Sequence, residues 1–86
     1  MSDRQKVAIV TGASQGIGAG IVQALVDRGC NVVANSRKVT QSAEVAASSQ
    51  VALVDGHIGE AATAARIVEM ALSRFGSIDA LVNNAG

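Results

Sequence analysis

The 86 residues predict an α/β fold, a parallel sheet wound on both faces by helices. Two observations carry that expectation. Short β-branched apolar runs alternate with stretches of helical periodicity, in the order β-α-β-α-β-α-β. Such alternation calls for right-handed crossovers and a sheet covered on both sides. Glycine alone punctuates the elements, for the chain contains no proline.

Residues 6–11 read as a buried strand ended by Gly12. Residues 16–28 read as a helix, because Ile17, Ile21, Val22, Leu25 and Val26 recur at helical spacing and Gly29 sits where a left-handed cap belongs. Residues 31–35 form the second strand, around Val32-Val33-Ala34. The stretch 36–49 is polar and Ala-rich, with a short helix expected over 41–47. Residues 51–54 are the third strand, closed by Asp55-Gly56. Residues 60–75 carry the clearest helical pattern. Ala64, Ile67, Val68, Ala71, Leu72 and Phe75 make one apolar stripe, and Gly76 stops it. Residues 78–83 are the fourth strand, from which Asn84-Ala85-Gly86 turns away.

Length and composition bound the rest. Eighty-six residues make at most one domain. A chain that is 49% hydrophobic and 16% charged is not disordered. Seven basic and seven acidic residues leave no net charge, so nothing favours a nucleic-acid partner. No apolar run approaches the roughly 18 residues that span a bilayer. The polar start Met1-Ser2-Asp3-Arg4-Gln5-Lys6 lacks a signal-peptide core, and the single Cys30 forms no internal disulfide. A cytoplasmic protein is expected. Phe75 is the one aromatic residue, which leaves no aromatic anchor for a protein partner and no stacking platform for single strands.

The run Thr11-Gly12-Ala13-Ser14-Gln15-Gly16-Ile17-Gly18 joins the first strand to its helix. Glycines there let backbone approach a phosphate, toward which the helix directs unpaired N–H groups and the positive end of its dipole. The bland alternative is an ordinary strand-to-helix turn whose glycines only relieve strain. The spacing is T-G-x-x-x-G-x-G rather than G-x-G-x-x-G, because position 21 is Ile. That pattern resembles the short-chain dehydrogenase/reductase family. A second motif, Asn83-Asn84-Ala85-Gly86 after Arg74-Phe75-Gly76-Ser77-Ile78-Asp79-Ala80-Leu81-Val82, resembles the same family in the right order and separation. The resemblance covers nearly all of the chain but only the N-terminal part of a family member. It implies a Rossmann-type, doubly wound parallel sheet cut after its fourth strand, with residues 1–86 forming the first part of one dinucleotide-binding domain. It also implies that Gly12, Ser14, Gly16, Ile17 and Gly18 line the pyrophosphate and adjoining ribose, with Gln15 counted among the cofactor-binding residues.

The end of the second strand reads the adenosine ribose in such folds. Here it holds Asn35-Ser36-Arg37-Lys38, with no carboxylate to select NAD. Ser36 can donate a hydrogen bond and Arg37 offers a fork for phosphate oxygens, so NADP is expected over NAD. Gln15 is a contrary sign, since NADP-using members often carry a second basic residue there, and Arg37-Lys38 also reads as a solvated surface pair. After the third strand, the family's acid at the adenine edge is replaced by His57, followed by Ile58. A neutral imidazole can accept one hydrogen bond. Asp55 could serve if the loop shifts, and His57 equally reads as an exposed loop residue. A lone histidine supports no metal site. By resemblance Asn84 contacts the cofactor, Ala85 and Gly86 admit the nicotinamide-side ribose, and Asn83 orders the strand end.

The family's chemistry is hydride transfer between nicotinamide and a carbonyl or alcohol carbon, with Ser and Y-x-x-x-K on later elements. This chain contains no Tyr, so no catalytic residue is expected within it and the 86 residues alone are expected to be inactive. The open fourth strand makes a lone segment marginally stable or prone to associate. The favoured reading is the cofactor-binding part of an NAD(P)-dependent oxidoreductase acting on a small carbonyl or alcohol, a homo-oligomer when complete. The alternatives are a non-catalytic nucleotide-binding or partner-pairing fragment, and a fragment without function.

Overall fold

The computed structural model of the chain describes residues 5–84. Four strands, β1 (Val7–Thr11), β2 (Asn31–Ser36), β3 (Val51–Asp55) and β4 (Ala80–Asn83), form one parallel sheet in the order β3-β2-β1-β4. Helix α1 (Gly16–Asp27) joins β1 to β2, and α2 (Ala61–Met70) joins β3 to β4. The last turn and a half before β4, Ala71–Phe75, widens into a π-helix that ends where the Gly76 N–H donates to the Ala71 carbonyl, 3.0 Å. Gly76 takes the left-handed conformation, as does Gly29 after α1.

The strands point their side chains alternately to two cores, because the strand period is two. Val10, Val32, Ala34 and Val51 pack with Ala19 and Val22 of α1 on one face. Val7, Ile9, Val33, Ala52 and Val54 pack with Ile67 and Ala71 on the other. Helices on opposite faces put a topological switch between β1 and β4, and a crevice opens at such a point beyond the carboxyl ends of the strands.

Two expectations are corrected. The helix predicted over 41–47 is absent: a single 3-10 turn, Val39–Gln41, is followed by an irregular strap. Local side-chain bonds take the backbone out of helical register. The Ser42 hydroxyl donates to the Ser14 carbonyl and accepts the Glu44 N–H at 3.0 Å. Val39 and Val45 are both buried in the α1-side core, which holds the strap down at its two ends. The buried face of α2 is also rotated from the predicted stripe. Thr63, Ile67 and Ala71 are buried, whereas Val68 (43% exposed) and Leu72 (51%) face outward with Leu81 (64%) of β4. The apolar stripe is wider than four strands can cover.

A part-buried polar network ties β4 to β1 at the end nearest the crevice. Thr11, 1% exposed, donates its hydroxyl to Asn83 Oδ1 (3.1 Å) and accepts the Asn84 N–H (3.1 Å). At the other end Asp79 exchanges bonds with Val7: its N–H donates to the Val7 carbonyl and its carboxylate accepts the Val7 N–H, both 2.8 Å. Thr11→Val keeps the shape but leaves the Asn84 N–H without its acceptor. We expect a loss of about 1–3 kcal/mol, read as a lower urea midpoint at unchanged m-value.

Candidate functional site

The turn after β1 is held from three sides. The Ala13 N–H donates to the Asn35 carbonyl on β2 (3.0 Å), the Asn84 amide donates to the Gly12 carbonyl (3.1 Å), and Ser42 reaches the Ser14 carbonyl. Gly12 and Gly16 both have positive φ, which residues other than glycine rarely adopt. Gly18 is required for a different reason. A Cβ there would collide with the Gly12 carbonyl and come within 2.9 Å of Asn84 Nδ2. The close approach seats the first turn of α1 directly on the strand end.

That first turn carries no side-chain cap and no acidic residue. Among the described residues no protein acceptor meets the N–H groups of Ile17 and Gly18, the orphans that every helix start leaves. The Gly16 N–H is met by a remote carboxylate, Glu44 Oε1, at 3.3 Å. Gln15 and Gly16 are exposed and Ile17 is 76% exposed, so this helix end opens to solvent.

Beside it lies a cleft of about 520 Å³ lined by Gly12, Ser14, Asn35, Ser36, Arg37, Lys38, Gly56, His57 and Ile58. It gathers the ends of β1, β2 and β3, as the topology requires. Six residues singled out in the sequence therefore meet in one place: Gly12, Ser14, Ser36, Arg37, His57 and Ile58. Gln15, Gly16 and Ile17 form the adjoining helix start, Gly18 is buried against Gly12, and Asn84 braces the turn through its amide. Ala85 and Gly86 lie outside the described residues.

The polar groups of the cleft divide into spent and free. Asn35 is spent: its amide donates to the carbonyls of Val54 (2.9 Å) and Gly56 (3.2 Å), which fixes the β3 loop beside the end of β2. Ser36 is free, its hydroxyl oxygen buried without a hydrogen-bond partner. Arg37 and Lys38 are exposed, and among the described residues no acidic group or hydrogen bond engages either side chain. His57 accepts the Gly59 N–H at Nδ1 (2.9 Å), which places the ring proton on Nε2. Its accepting nitrogen is thus used within the loop, and the remaining one donates.

Asp55 does not turn into the cleft. Its carboxylate accepts the Thr40 hydroxyl (2.6 Å) and the Thr40 N–H (2.9 Å), while Arg66 donates to its backbone carbonyl at 2.6 Å. Three lining residues were not singled out as binders: Asn35, Lys38 and Gly56. An Asn at the last buried position of an apolar strand is the signal for the first, since a buried amide must find partners. Glu44 had no signal at all, because its place depends on the strap.

The family model described as short chain dehydrogenase matches residues 6–86. This chain belongs to that family. It is 45% identical over 87 residues to an uncharacterized oxidoreductase of Methylorubrum extorquens, covering 94% of this chain and 35% of that one. It is 42% identical over 86 residues to D-beta-hydroxybutyrate dehydrogenase of Cupriavidus necator, covering 94% and 33%. Among solved structures, glucose dehydrogenase of Caenorhabditis elegans in its apo form superposes with a TM-score of 0.82 at 31% identity, covering 99% of this chain and 40% of that one. The chain spans about a third of the length of the curated relatives it matches. Its sheet is the Rossmann-type arrangement of the family. Among the described residues, no helix is long and apolar enough to cross a membrane and no cluster of side chains could hold a metal ion.

The Thr40 hydroxyl, then the Thr40 N–H, holds the Asp55 carboxyl below its ordinary 3.8. A folded value below the unfolded one stabilises the fold above pH 3.8, and that contribution is lost as pH falls through the folded value. Thr40→Val removes the hydroxyl donor. We expect the Asp55 carboxyl resonance to titrate closer to 3.8 and acid unfolding to begin at higher pH.

Proposed function

We propose that these residues hold NADP for an oxidoreductase that interconverts a small carbonyl compound and its alcohol. The observation that carries the reading is the buried, unpartnered Ser36 hydroxyl beside the unpaired cations Arg37 and Lys38, in one cleft with the glycine turn. A donor buried without a partner is costly unless something else supplies an acceptor. A ribose 2′-phosphate supplies several, together with the charge that Arg37 and Lys38 lack. The orphan N–H groups of α1 suit the pyrophosphate in the same way.

On this reading Gly12, Ser14, Gln15, Gly16, Ile17 and Gly18 surround the pyrophosphate, Ser36 and Arg37 take the 2′-phosphate, and Lys38 adds charge at the rim. His57 and Ile58 border the adenine, with His57 donating through Nε2. Asn84 acts by bracing the turn, and Ala85 and Gly86 lie toward the nicotinamide ribose. When bound, the nicotinamide would supply hydride to the carbonyl carbon or, in its oxidised form, accept it from the alcohol carbon. Proton transfer at the substrate oxygen is assigned to residues outside these 86, which include no Tyr. Relatives named for hydroxybutyrate and glucose support a carbonyl or alcohol as the substrate class.

Calorimetric titration of the chain with NADPH and NADH tests the reading. Arg37→Asp should weaken NADPH binding by about 10- to 100-fold, the range of a hydrogen bond to a charged group, and change NADH binding far less. Equal losses for both cofactors would remove Arg37 from their selection.

A further inference from the structure

The strap between β2 and β3 crosses the front of the glycine turn and carries an anion to it. Val39 and Val45 anchor it in the core, Thr40 ties it to Asp55, and Ser42 bonds the Ser14 carbonyl. Ser42 also accepts the Glu44 N–H, which fixes the Glu44 backbone two residues on. The Glu44 side chain then places Oε1 at 3.3 Å from the Gly16 N–H. Helix α1 has no cap of its own, no acidic residue in its first turn and no basic residue in its last. The strap carboxylate is therefore the counter-charge that the helix start receives from the described residues.

We propose that Glu44 is an internal stand-in for a diphosphate, an autoinhibitory carboxylate that dinucleotide must displace. The inference rests on the reading of the glycine turn as a pyrophosphate site and adds regulation to it. A carboxylate at the Gly16 N–H and a diphosphate at the neighbouring orphan N–H groups share one positive dipole end, and they repel each other. Both cannot sit at Gly16. Glu44 and Gly16 are exposed, so the side chain can swing into water while the strap stays anchored. Affinity for the cofactor is then set by the difference between two anions at one helix start, and residue 44 tunes it without touching the ligand.

Inorganic pyrophosphate is the probe, titrated into the full chain by calorimetry while the Gly16 backbone amide is followed by NMR. Glu44→Gln keeps an acceptor near Gly16 and removes the charge. Glu69→Gln, on α2, makes the same change in net charge away from the turn. The expected result is pyrophosphate binding about 2- to 30-fold tighter in Glu44→Gln than in the unaltered chain, with Glu69→Gln unchanged. The urea midpoint of Glu44→Gln should fall slightly, because the uncharged amide holds the helix start less well. Opposite movements of affinity and stability are what a merely structural residue would not give. Equal or weaker binding by Glu44→Gln, with the Gly16 resonance still shifting, overturns the stand-in and leaves the glycine turn as the anion site. A gain matched by Glu69→Gln overturns it also. If the Gly16 resonance does not move in any of the three proteins, the pyrophosphate site itself falls, and the stand-in with it.

Discussion

The rest of the structure depends on one close contact, the seating of Gly18 against the carbonyl of Gly12. No side chain fits between them, so the first turn of α1 lies directly on the end of β1. The same carbonyl accepts the Asn84 amide, so one oxygen joins β1, α1 and the chain just past β4. The contact does two things at once. It brings the orphan N–H groups of the helix beside the cleft, and it fixes β4 next to β1, which sets the switch point of the sheet. A fold assembled this way has its anion-seeking end and its topological crevice in the same place by construction.

Much of this was legible because it follows from local rules. The parallel sheet follows from alternating β and α elements with right-handed crossovers, whereas the strand order came from the family resemblance. Gly29 and Gly76 end their helices where a residue with positive φ was needed. The glycine turn was located by its spacing, and Ser36 and Arg37 by counting from it to the end of the second strand, where such folds read the ribose. The strap was not legible. Its Ala-rich composition favours a helix, and what defeats the helix is tertiary: Val39 and Val45 both reach one core, and Ser42 bonds a turn 28 residues away. The place of Glu44 depends on all of these, so no local pattern announces it.

The buried face of α2 shows a different limit. Periodicity marks every apolar position on a helix surface, but the burial of each depends on how much sheet lies beneath. Thr63, a polar residue, is buried because it lies one turn before Ile67 and against Gly56. Val68 and Leu72, both apolar, are not, because β4 is the last strand on that side. The pattern predicted the helix correctly and its orientation to within about one residue, roughly 100° of rotation.

That exposed face is coupled to the site. Leu81 lies on β4 between Ala80 and Val82, and Asn83, two residues on, pairs with Thr11. Asn84 follows and holds Gly12. Among the described residues, β4 pairs with β1 alone, and of its apolar side chains Val82 is the one that packs against a core. Its hold on the sheet rests on its ladder with β1 and on the polar bonds of Thr11 and Asp79. Each Å² of apolar surface covered on Leu72 and Leu81 adds about 25 cal/mol to that hold. Fraying of β4 would release Asn84 first, and with it the brace on the Gly12 carbonyl. The rigidity of the glycine turn is thus inherited from the packing of a strand that contributes no side chain to the cleft.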